Sequence, residues 1–342
     1  MPELPLYLLL VIVATAVVWW GSDLLEKNAQ GLSNYYGLPP VVHGAVVVAV
    51  GSSFPELSST VLSTLLHGEF ELGLSVVIGS AIFNILVIPG LSGWYAQGTL
   101  KADKELVYKD AQFYIISVAV LMVAFSLAVI YFPVEGQRLV GTMNRGIALL
   151  PFLMYGLYLF IQRQEVHDQR EERQRPDEKP WKLWLKLLLS LVLIVVGVEG
   201  LVRAALFFGE YFGTPSFVWG ILVIATVTSL PDVLISLRLA RKGQGVPSLS
   251  NVLGSNIFDL LVAVPAGVLI AGATPVNFQV AMPLMTFLTL ATVLLFTLLR
   301  IDLDLNRRES TILLLTYALF TAWIILEALE VVDWVGEGVQ TL

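Results

Sequence analysis

Ten long apolar stretches dominate this chain and limit what it can fold into. A helix needs about 20 mostly apolar residues to cross the hydrocarbon core of a bilayer. Such stretches lie near residues 4–20, 40–66, 72–96, 110–132, 144–162, 183–209, 216–240, 247–272, 277–300 and 310–331. Of the 342 residues, 56% are hydrophobic and only 14% are charged, against about 25% charged residues in soluble domains. The sequence therefore predicts an all-α membrane protein with about ten transmembrane helices.

The basic residues predict how these helices are oriented. If the N-terminus lies outside, all of the 20 Lys and Arg residues except Arg138, Arg145 and Arg203 fall on the cytoplasmic side. An excess of Lys and Arg in cytoplasmic loops is the usual signature of membrane topology. A shift by one span would destroy this asymmetry. We therefore expect an integral protein of the cell (inner) membrane with both termini outside.

The second half of the chain repeats the first after a shift of 176 residues. Glycines, prolines and acids coincide, as in Gly21 with Gly197, Pro55 with Pro231, and Glu56 with Asp232. One residue is then dropped, and GSAIFN (79–84) coincides with GSNIFD (254–259). Five spans per half is an odd number, so the two halves must enter the membrane in opposite directions. Inverted repeats of this kind are typical of secondary transporters.

The repeat also predicts the domain organisation. We assign residues 1–162 to a first five-helix repeat, 163–182 to a cytoplasmic linker and 183–342 to a second five-helix repeat. The linker, RQEVHDQREERQRPDEKPWK, is strongly polar, mixed in charge and contains two prolines, as expected of a solvated connection. The two most similar segments, 44–90 and 220–267, form the core motif of each repeat.

A proline followed by an acid stands inside an apolar span of each half, as Pro55–Glu56 and Pro231–Asp232. Proline removes a helical hydrogen bond, and in lipid the freed carbonyl needs another partner. A carboxylate at mid-membrane costs about 2.5–3.5 kcal/mol on insertion scales, so it is functional by default. Two such carboxylates repel each other unless a cation lies between them. The sequence therefore predicts interrupted helices and a cation site around Glu56 and Asp232.

Further oxygen ligands are predicted in both repeats. They are backbone carbonyls and hydroxyls before each acid and polar side chains one span later: Ala49, Ser52, Ser53, Ser80 and Asn84 in the first half, and Ala225, Thr228, Ser229, Ser255 and Asp259 in the second. Residues four apart share one face of a helix, which brings Ser80 beside Asn84 and Ser255 beside Asp259. The chain has no cysteine, and the set contains no histidine. An all-oxygen set suits Ca²⁺, Na⁺ or K⁺ and argues against zinc and copper.

The two segments GSSFPELSSTV…VVIGSAIFNILVIPG and TSLPDVLISLRLARKGQG…SNVLGSNIFDLLVAVPAG resemble the alpha-repeats of the cation/calcium exchanger superfamily. The resemblance implies a ten-helix fold of two inverted five-helix units that exchanges Ca²⁺ for Na⁺. It implies that Glu56 and Asp232 are shared by the Ca²⁺ and Na⁺ sites. It also implies that spans 1 and 6 form a bundle that slides over the other eight.

The same resemblance implies roles for the remaining residues. The carbonyls of Ser52 and Thr228 would complete the Ca²⁺ site, and Asn84 and Asp259 would lie in a central layer. The flanking Na⁺ sites would be formed by the hydroxyls of Ser53, Ser80, Ser229 and Ser255 and by the carbonyls of Ala49 and Ala225.

The second repeat is most similar to the potassium-dependent sodium/calcium exchangers. It has Asp232 where most bacterial members carry Glu, followed by ARxGxG and SNxFD. In the potassium-dependent branch the aspartate at the position of Asp259 is linked to K⁺ co-transport. Potassium-independent bacterial members can also carry Asp there, so K⁺ dependence stays open at this point.

Three other functions are alternatives to Na⁺/Ca²⁺ exchange. A Ca²⁺/H⁺ exchanger of the same fold carries a G-N-x-x-E pattern around its acid, and this chain lacks that pattern. An intramembrane aspartyl protease also uses two carboxylates but carries G-x-G-D, which is absent as well. A passive channel is disfavoured because inverted repeats with acids at the midplane favour alternating access.

We thus expect a transporter without enzymatic activity and without a cofactor. The transported ions would be Ca²⁺ and Na⁺, with K⁺ as an open third. The expected partners are membrane lipids and inorganic cations and no nucleic acid, and we expect the protein to be a monomer.

Overall fold

The computed structural model describes residues 3–36, 49–165 and 179–332. Its helices are α1 Leu4–Tyr36, α2 Ala49–His67, α3 Phe70–Tyr95, α4 Leu106–Tyr131, α5 Arg145–Glu165, α6 Pro180–Phe212, α7 Ser216–Thr228, α8 Leu230–Arg241, α9 Gly245–Ala271, α10 Phe278–Asp302 and α11 Arg307–Ala328. Four short strands join them, β1 Leu100–Lys101, β2 Val140–Met143, β3 Thr274–Asn277 and β4 Asp304–Leu305.

The helices account for the ten predicted spans. In the part of the chain that the structure describes, eight helices are long and apolar enough to cross a membrane, and α7 and α8 form a ninth span bent by 45°. Helix α2 covers the later part of the predicted span 40–66, whose residues 40–48 lie outside the described ranges. The prediction of an all-α membrane fold with about ten helices is confirmed.

Helix α1 extends well beyond its predicted end at residue 20. It continues to Tyr36 because the polar residues after the apolar part support a helix of their own. Asp23 and Lys27 form an ion pair one turn apart, at 2.5 Å. Helices α1 and α6 each contain 33 residues, or about 50 Å at 1.5 Å per residue. Both are therefore longer than the hydrocarbon core, and their polar ends can reach water.

Helices α1 and α6 pack against each other along a pseudo-two-fold axis. A Cβ on Gly21 would lie 2.8 Å from Ile194 Cγ1, and a Cβ on Gly197 would lie 2.7 Å from Val18 Cγ2. These two contacts are the same contact seen from each half, since Val18 and Gly21 correspond to Ile194 and Gly197 in the repeat. The pair expected from spans 1 and 6 is thus present.

The two small sheets show that the halves are inverted. Strand β1, which follows α3, pairs with β4, which follows α10. Strand β3, which follows α9, pairs with β2, which follows α4. Because α4 runs from β1 to β2, the two sheets lie at opposite ends of the bundle. The equivalent helices α3 and α9 therefore end on opposite sides, as inverted repeats require.

Helix α3 lies in the centre of the molecule and positions the neighbouring helices of both halves. Its residues from Leu72 to Gly90 are all buried. A Cβ on Gly73 would lie 2.7 Å from Thr60 Cα on α2, and one on Gly79 would lie 3.0 Å from Ile221 Cα on α7. These glycines bring the backbones of α2 and α7 close to α3, so polar groups on all three helices can meet.

Basic side chains gather at the end of the bundle that carries β1 and β4. Arg300 lies over the Tyr108 ring, 4.7 Å from its centroid, and Arg241 lies over Tyr95 at 5.0 Å. This grouping is the one that the charge asymmetry predicts for the cytoplasmic side. The orientation in the membrane stays a prediction. So does the division into two domains, because linker residues 166–178 lie outside the described ranges.

Candidate cation-binding site

Three acids lie together in the interior, on helices of both halves. Glu56 stands on α2, Asp232 in the first turn of α8 and Asp259 on α9, at the start of the π-helical turn Asp259–Ala263. Their exposed fractions are 1%, 3% and 1%. Buried carboxylates need compensating partners. The neighbours of these three acids therefore define what the site can hold.

The backbone around the two proline–acid pairs differs between the halves. In the second half the chain bends by 45° between α7 and α8, and Pro231 lies in the first turn of α8, where its missing N–H costs little. In the first half α2 runs continuously through Pro55. The prediction of a break at both prolines is therefore right for α7–α8 and wrong for the described part of the first half. A proline inside a helix can be accommodated by a kink that leaves the helix unbroken.

Hydroxyl groups from both halves face each acid. Ser80 Oγ donates to Glu56 Oε1 at 3.1 Å, and the Thr228 hydroxyl faces the same carboxylate. Asp232 is faced in turn by the hydroxyls of Ser255 and Ser52. In the repeat Ser80 corresponds to Ser255 and Thr228 to Ser52. Each acid therefore receives one hydroxyl from its own half and one from the other half.

The serines also connect the two halves directly. The hydroxyl oxygens of Ser80 and Ser229 lie 2.8 Å apart, and those of Ser52 and Ser255 lie 3.0 Å apart. Ser53 Oγ donates to the backbone carbonyl of Ser255 at 3.4 Å. These contacts form a hydroxyl frame around the two acids, with α2 and α3 on one side and α7 and α9 on the other.

An amide network occupies the middle of the site. Asn84 Nδ2 donates to Asp232 Oδ2 at 3.5 Å and to Asn256 Oδ1 at 3.0 Å. Asn256 Nδ2 in turn contacts the Ala81 carbonyl at 3.1 Å and the hydroxyl of buried Tyr114 at 3.2 Å. Asn84 thus bridges the two halves, as its predicted central position requires.

Three neighbours of the site were missed from the sequence, namely Asn256, Tyr114 and Asn251. Asn251 Nδ2 donates to Asp232 Oδ1 at 3.2 Å. Asn256 and Asn251 stand where the first repeat has Ala81 and Val76. A comparison for polar residues present in only one repeat would have found both asparagines. Nothing in the repeat points to Tyr114, which reaches the site from α4.

Several buried oxygens in the site make no well-formed hydrogen bond with the described residues. They are Glu56 Oε2, Asn84 Oδ1 and both carboxylate oxygens of Asp259, and the hydroxyl that faces Asp259 is that of Ser53. A buried acceptor without a donor is unfavourable. Such oxygens are the ligands that hard cations prefer. These oxygen ligands therefore fit Ca²⁺ or Na⁺ as a transported substrate.

The acids do not all surround one point. Within the described ranges, no group of three or more His, Cys, Asp or Glu residues is placed to hold one metal ion together. The groups that contact Glu56 and Asp232 are neutral hydroxyls and amides.

One of the predicted ligands, the Ala225 carbonyl, is not released as expected. The Ala225 carbonyl accepts hydrogen bonds from the Ser229 N–H at 3.1 Å and from Thr228 Oγ1 at 3.2 Å. The prediction that it is released by the bend is therefore wrong, because the preceding turn stays helical. Ala49 is the first residue of α2, and the role of its backbone carbonyl stays a prediction. The other ten predicted residues lie in or beside the cluster.

The match to a known family agrees with this geometry. A model of the family described as sodium/calcium exchanger protein matches residues 6–164 and 182–326. The chain belongs to the sodium/calcium exchanger family. This exchanger is 29% identical to the inner membrane protein YrbG of Escherichia coli over 268 residues, which cover 74% of this chain and 76% of YrbG. The family transports ions, which agrees with the expectation of a transporter.

Solved structures with different coupling ions share the fold of this exchanger. The sodium-calcium exchanger NCX_Mj matches with a TM-score of 0.61 and 22% identity, over 93% of this chain and 98% of that one. The H⁺/Ca²⁺ exchanger CAX matches with a TM-score of 0.71 and 14% identity, over 95% and 87% of the two chains. These structures show a shared fold, and the family match identifies the protein as an integral membrane antiporter of the cation/calcium type.

Proposed function

We propose that this exchanger carries Ca²⁺ in one direction and Na⁺ in the other, and that both ions use Glu56 and Asp232. The observation that carries the proposal is the hydroxyl frame around two buried acids. None of the ion pairs among the described residues includes either acid. Two carboxylates that lack a basic partner favour a divalent cation between them. The same place can then be taken by sodium ions.

The neutral oxygens of the frame support sodium as the coupling ion. Na⁺ is a hard, singly charged cation that prefers oxygen ligands, and hydroxyls and carbonyls solvate it without excess negative charge. Ser53, Ser80, Ser229 and Ser255 place such oxygens on both sides of the acids. In a purely proton-coupled site the proton would bind directly to a carboxylate, and the additional neutral oxygens of the hydroxyl frame would not be needed as ligands.

The inverted repeats support alternating access as the mechanism. Two halves of similar structure that meet at a central site can exchange roles, so that the site opens to one side and then to the other. The α1–α6 pair packs on the rest of the bundle through α2 and α7. We propose that movement of this pair relative to the site provides the two states, and that both termini lie outside the cell membrane.

Ca²⁺ uptake into proteoliposomes tests the proposal. Vesicles loaded with Na⁺ are diluted into a medium that contains radioactive Ca²⁺ and choline, and control vesicles are loaded with choline instead. We expect uptake only with internal Na⁺, and inhibition when Na⁺ is also added outside. Uptake that ignores Na⁺ but follows an imposed pH gradient would contradict sodium coupling and establish Ca²⁺/H⁺ exchange. Uptake without any counter-ion gradient would indicate a passive pore.

A further inference from the structure

We propose that Asn251 is a positioning residue that holds the Asp232 carboxylate and adapts the site to an acid one methylene shorter than Glu56. The inference rests on the proposed Ca²⁺ site between these acids. It concerns how the second half of that site is built. Three observations support it: the different donors of the two acids, the position of Asn251 in the repeat, and the contacts that hold Asn251 itself.

The two acids differ in the groups that hold them. Glu56 is faced by the hydroxyls of Ser80 and Thr228 and by its own backbone N–H, and no side-chain amide is among these partners. Asp232 receives amide groups on both oxygens, Asn251 Nδ2 on Oδ1 at 3.2 Å and Asn84 Nδ2 on Oδ2 at 3.5 Å. The shorter acid is therefore the more firmly oriented one.

The amide of Asn251 occurs only in the half that has the shorter acid. In the repeat Asn251 corresponds to Val76 on α3, which is fully buried and cannot donate a hydrogen bond. The first half thus combines the longer acid, Glu56, with an apolar residue, Val76, at the position equivalent to Asn251. The second half combines the shorter acid, Asp232, with the amide of Asn251. The two positions differ together between the halves, which is expected if one compensates the other.

Asn251 is itself held by contacts between α8 and α9. Its Nδ2 lies 3.4 Å from Ser236 Oγ, one turn after Asp232. Ser236 Oγ donates to the Ser248 carbonyl at 3.2 Å, and Ser248 Oγ donates to the Ser236 carbonyl at 2.9 Å. This reciprocal pair ties the two helices together beside Asn251. The amide is therefore fixed relative to the carboxylate that it contacts.

The contact with Asn251 sets how the Asp232 carboxylate is oriented relative to an ion. With Oδ1 held by Asn251, Oδ2 is directed to the side of Asn84 and the first half. Hydrogen bonds to ligating carboxylates commonly matter 10–100-fold for metal affinity or activity. We therefore expect the apparent Ca²⁺ affinity to depend on Asn251 although this side chain does not bind the ion.

Ca²⁺/Ca²⁺ exchange tests the inference without depending on the coupling ion. Vesicles loaded with unlabelled Ca²⁺ take up radioactive Ca²⁺, and the half-saturating concentration and maximal rate are measured. For Asn251→Val we expect the half-saturating concentration to rise about tenfold or more, with a smaller change in maximal rate. Asn251→Leu, which keeps the branching and the number of side-chain heavy atoms of asparagine but removes the amide, should behave alike. Ser236→Ala removes the second partner of Asn251 and should have a small effect.

A double-mutant cycle separates positioning from general damage. Asp232→Glu alone should weaken Ca²⁺ binding, because the longer side chain meets Asn251. Combined with Asn251→Val it recreates the pair of the first half, and we expect affinity within about threefold of the native protein if the two positions compensate each other. Additive effects, or native affinity in Asp232→Glu or Asn251→Val alone, would overturn the inference. Failure of sodium coupling with intact Ca²⁺/Ca²⁺ exchange would refute only the proposed function.

Discussion

At the scale of single residues, the site achieves charge compensation with neutral groups. Glu56 and Asp232 are buried, and their partners are hydroxyls and amides contributed by both halves. Neutral donors orient a carboxylate but leave its charge uncancelled. A transported cation can therefore supply the missing charge and leave again, which a permanent lysine or arginine partner would prevent.

Removal of either central charge should abolish Ca²⁺ transport. Glu56→Gln and Asp232→Asn keep the size of the side chain but leave only one carboxylate for a divalent ion. We expect Na⁺-dependent Ca²⁺ uptake to fall at least about 100-fold, since one charged ligand is worth several kcal/mol at a dry site. Glu105→Gln, at an exposed ion pair with Lys109, is the matched control and should transport normally. Substantial uptake by Glu56→Gln would exclude the proposed site.

Asp259 should determine the response to potassium. Both of its oxygens are buried and make no well-formed hydrogen bond with the described residues, and the carboxylate faces the Ser53 hydroxyl and lies near Glu56 and Asp232. We expect external K⁺ in place of choline to increase Ca²⁺ uptake, and Asp259→Asn to remove that increase while Na⁺ dependence persists. Equal uptake in K⁺ and choline by the native protein would assign the chain to potassium-independent exchange.

At the scale of elements, close helix packing and backbone irregularities place the site. The bend between α7 and α8 puts Asp232 in a first helical turn, where the helix dipole favours a carboxylate. Glycines bring α2 and α7 to α3 and α1 to α6. The α1–α6 contact holds together the pair that is proposed to move, so its packing can be tested by substitution.

Gly197→Ala should destabilise the protein. The added methyl would meet Val18 Cγ2 at 2.7 Å and the Ala14 carbonyl at 3.2 Å, and overpacking of this kind costs about 1–3 kcal/mol. Gly156→Ala is the matched control because a Cβ there meets nothing within 4 Å. It should be neutral or stabilising by about 0.5–1 kcal/mol, since alanine favours a helix over glycine. The melting temperature in detergent measures both, and a higher melting temperature for Gly197→Ala would contradict the observed packing.

At the scale of the whole molecule, the α1–α6 pair contacts the rest of the bundle through buried apolar packing and through a polar contact with α2 at its surface. Glu199 on α6 accepts from Arg203 at 2.7 Å and contacts His67, at the end of α2, at 3.1 Å. These side chains are only partly buried, and such contacts are weak in free energy. The polar contact between His67 and Glu199 can thus break and form again as the pair moves.

A crosslink between α2 and α6 should stop transport. The native chain has no cysteine, so His67→Cys with Glu199→Cys introduces the only reactive pair. If α6 moves relative to α2, a short bifunctional thiol reagent will hold the transporter in one of its two access states. Because transport needs both states, we expect uptake to fall at least about tenfold. A cleavable reagent should allow recovery on reduction.

The control for this crosslink is a pair that should not move. Thr99 Oγ1 contacts Asp304 Oδ2 at 2.7 Å beside the β1–β4 sheet, outside the α1–α6 pair. Thr99→Cys with Asp304→Cys should crosslink without loss of transport. Each single cysteine variant, which cannot form a crosslink within the chain, should also keep its transport after treatment with the reagent. Full activity of the crosslinked His67–Glu199 pair would show that α6 stays fixed to α2 during transport.

Much of the fold was predictable because lipid imposes simple rules on a sequence. Apolar length sets the number of spans, and the repeat of Pro55–Glu56 in Pro231–Asp232 sets the inversion and locates the acids at the centre. The end of α1 was misjudged because apolar length measures only the part of a helix inside lipid. The Asp23–Lys27 pair, four residues apart in this extension, supports the helix by a few tenths of a kcal/mol, about the usual value for such a pair.

The sequence by itself determined the membrane class, the inverted architecture, the two central acids and most of the surrounding hydroxyls, because each has a local or repeated signal. Only the tertiary structure decided which groups meet across the halves. It placed Asn251 and Asn256 beside the acids, kept α2 continuous through Pro55 and occupied the Ala225 carbonyl. Such contacts depend on how helices distant in sequence pack and on the exact path of the backbone at each proline. A repeat pattern describes what the halves share, whereas these features are where the halves differ.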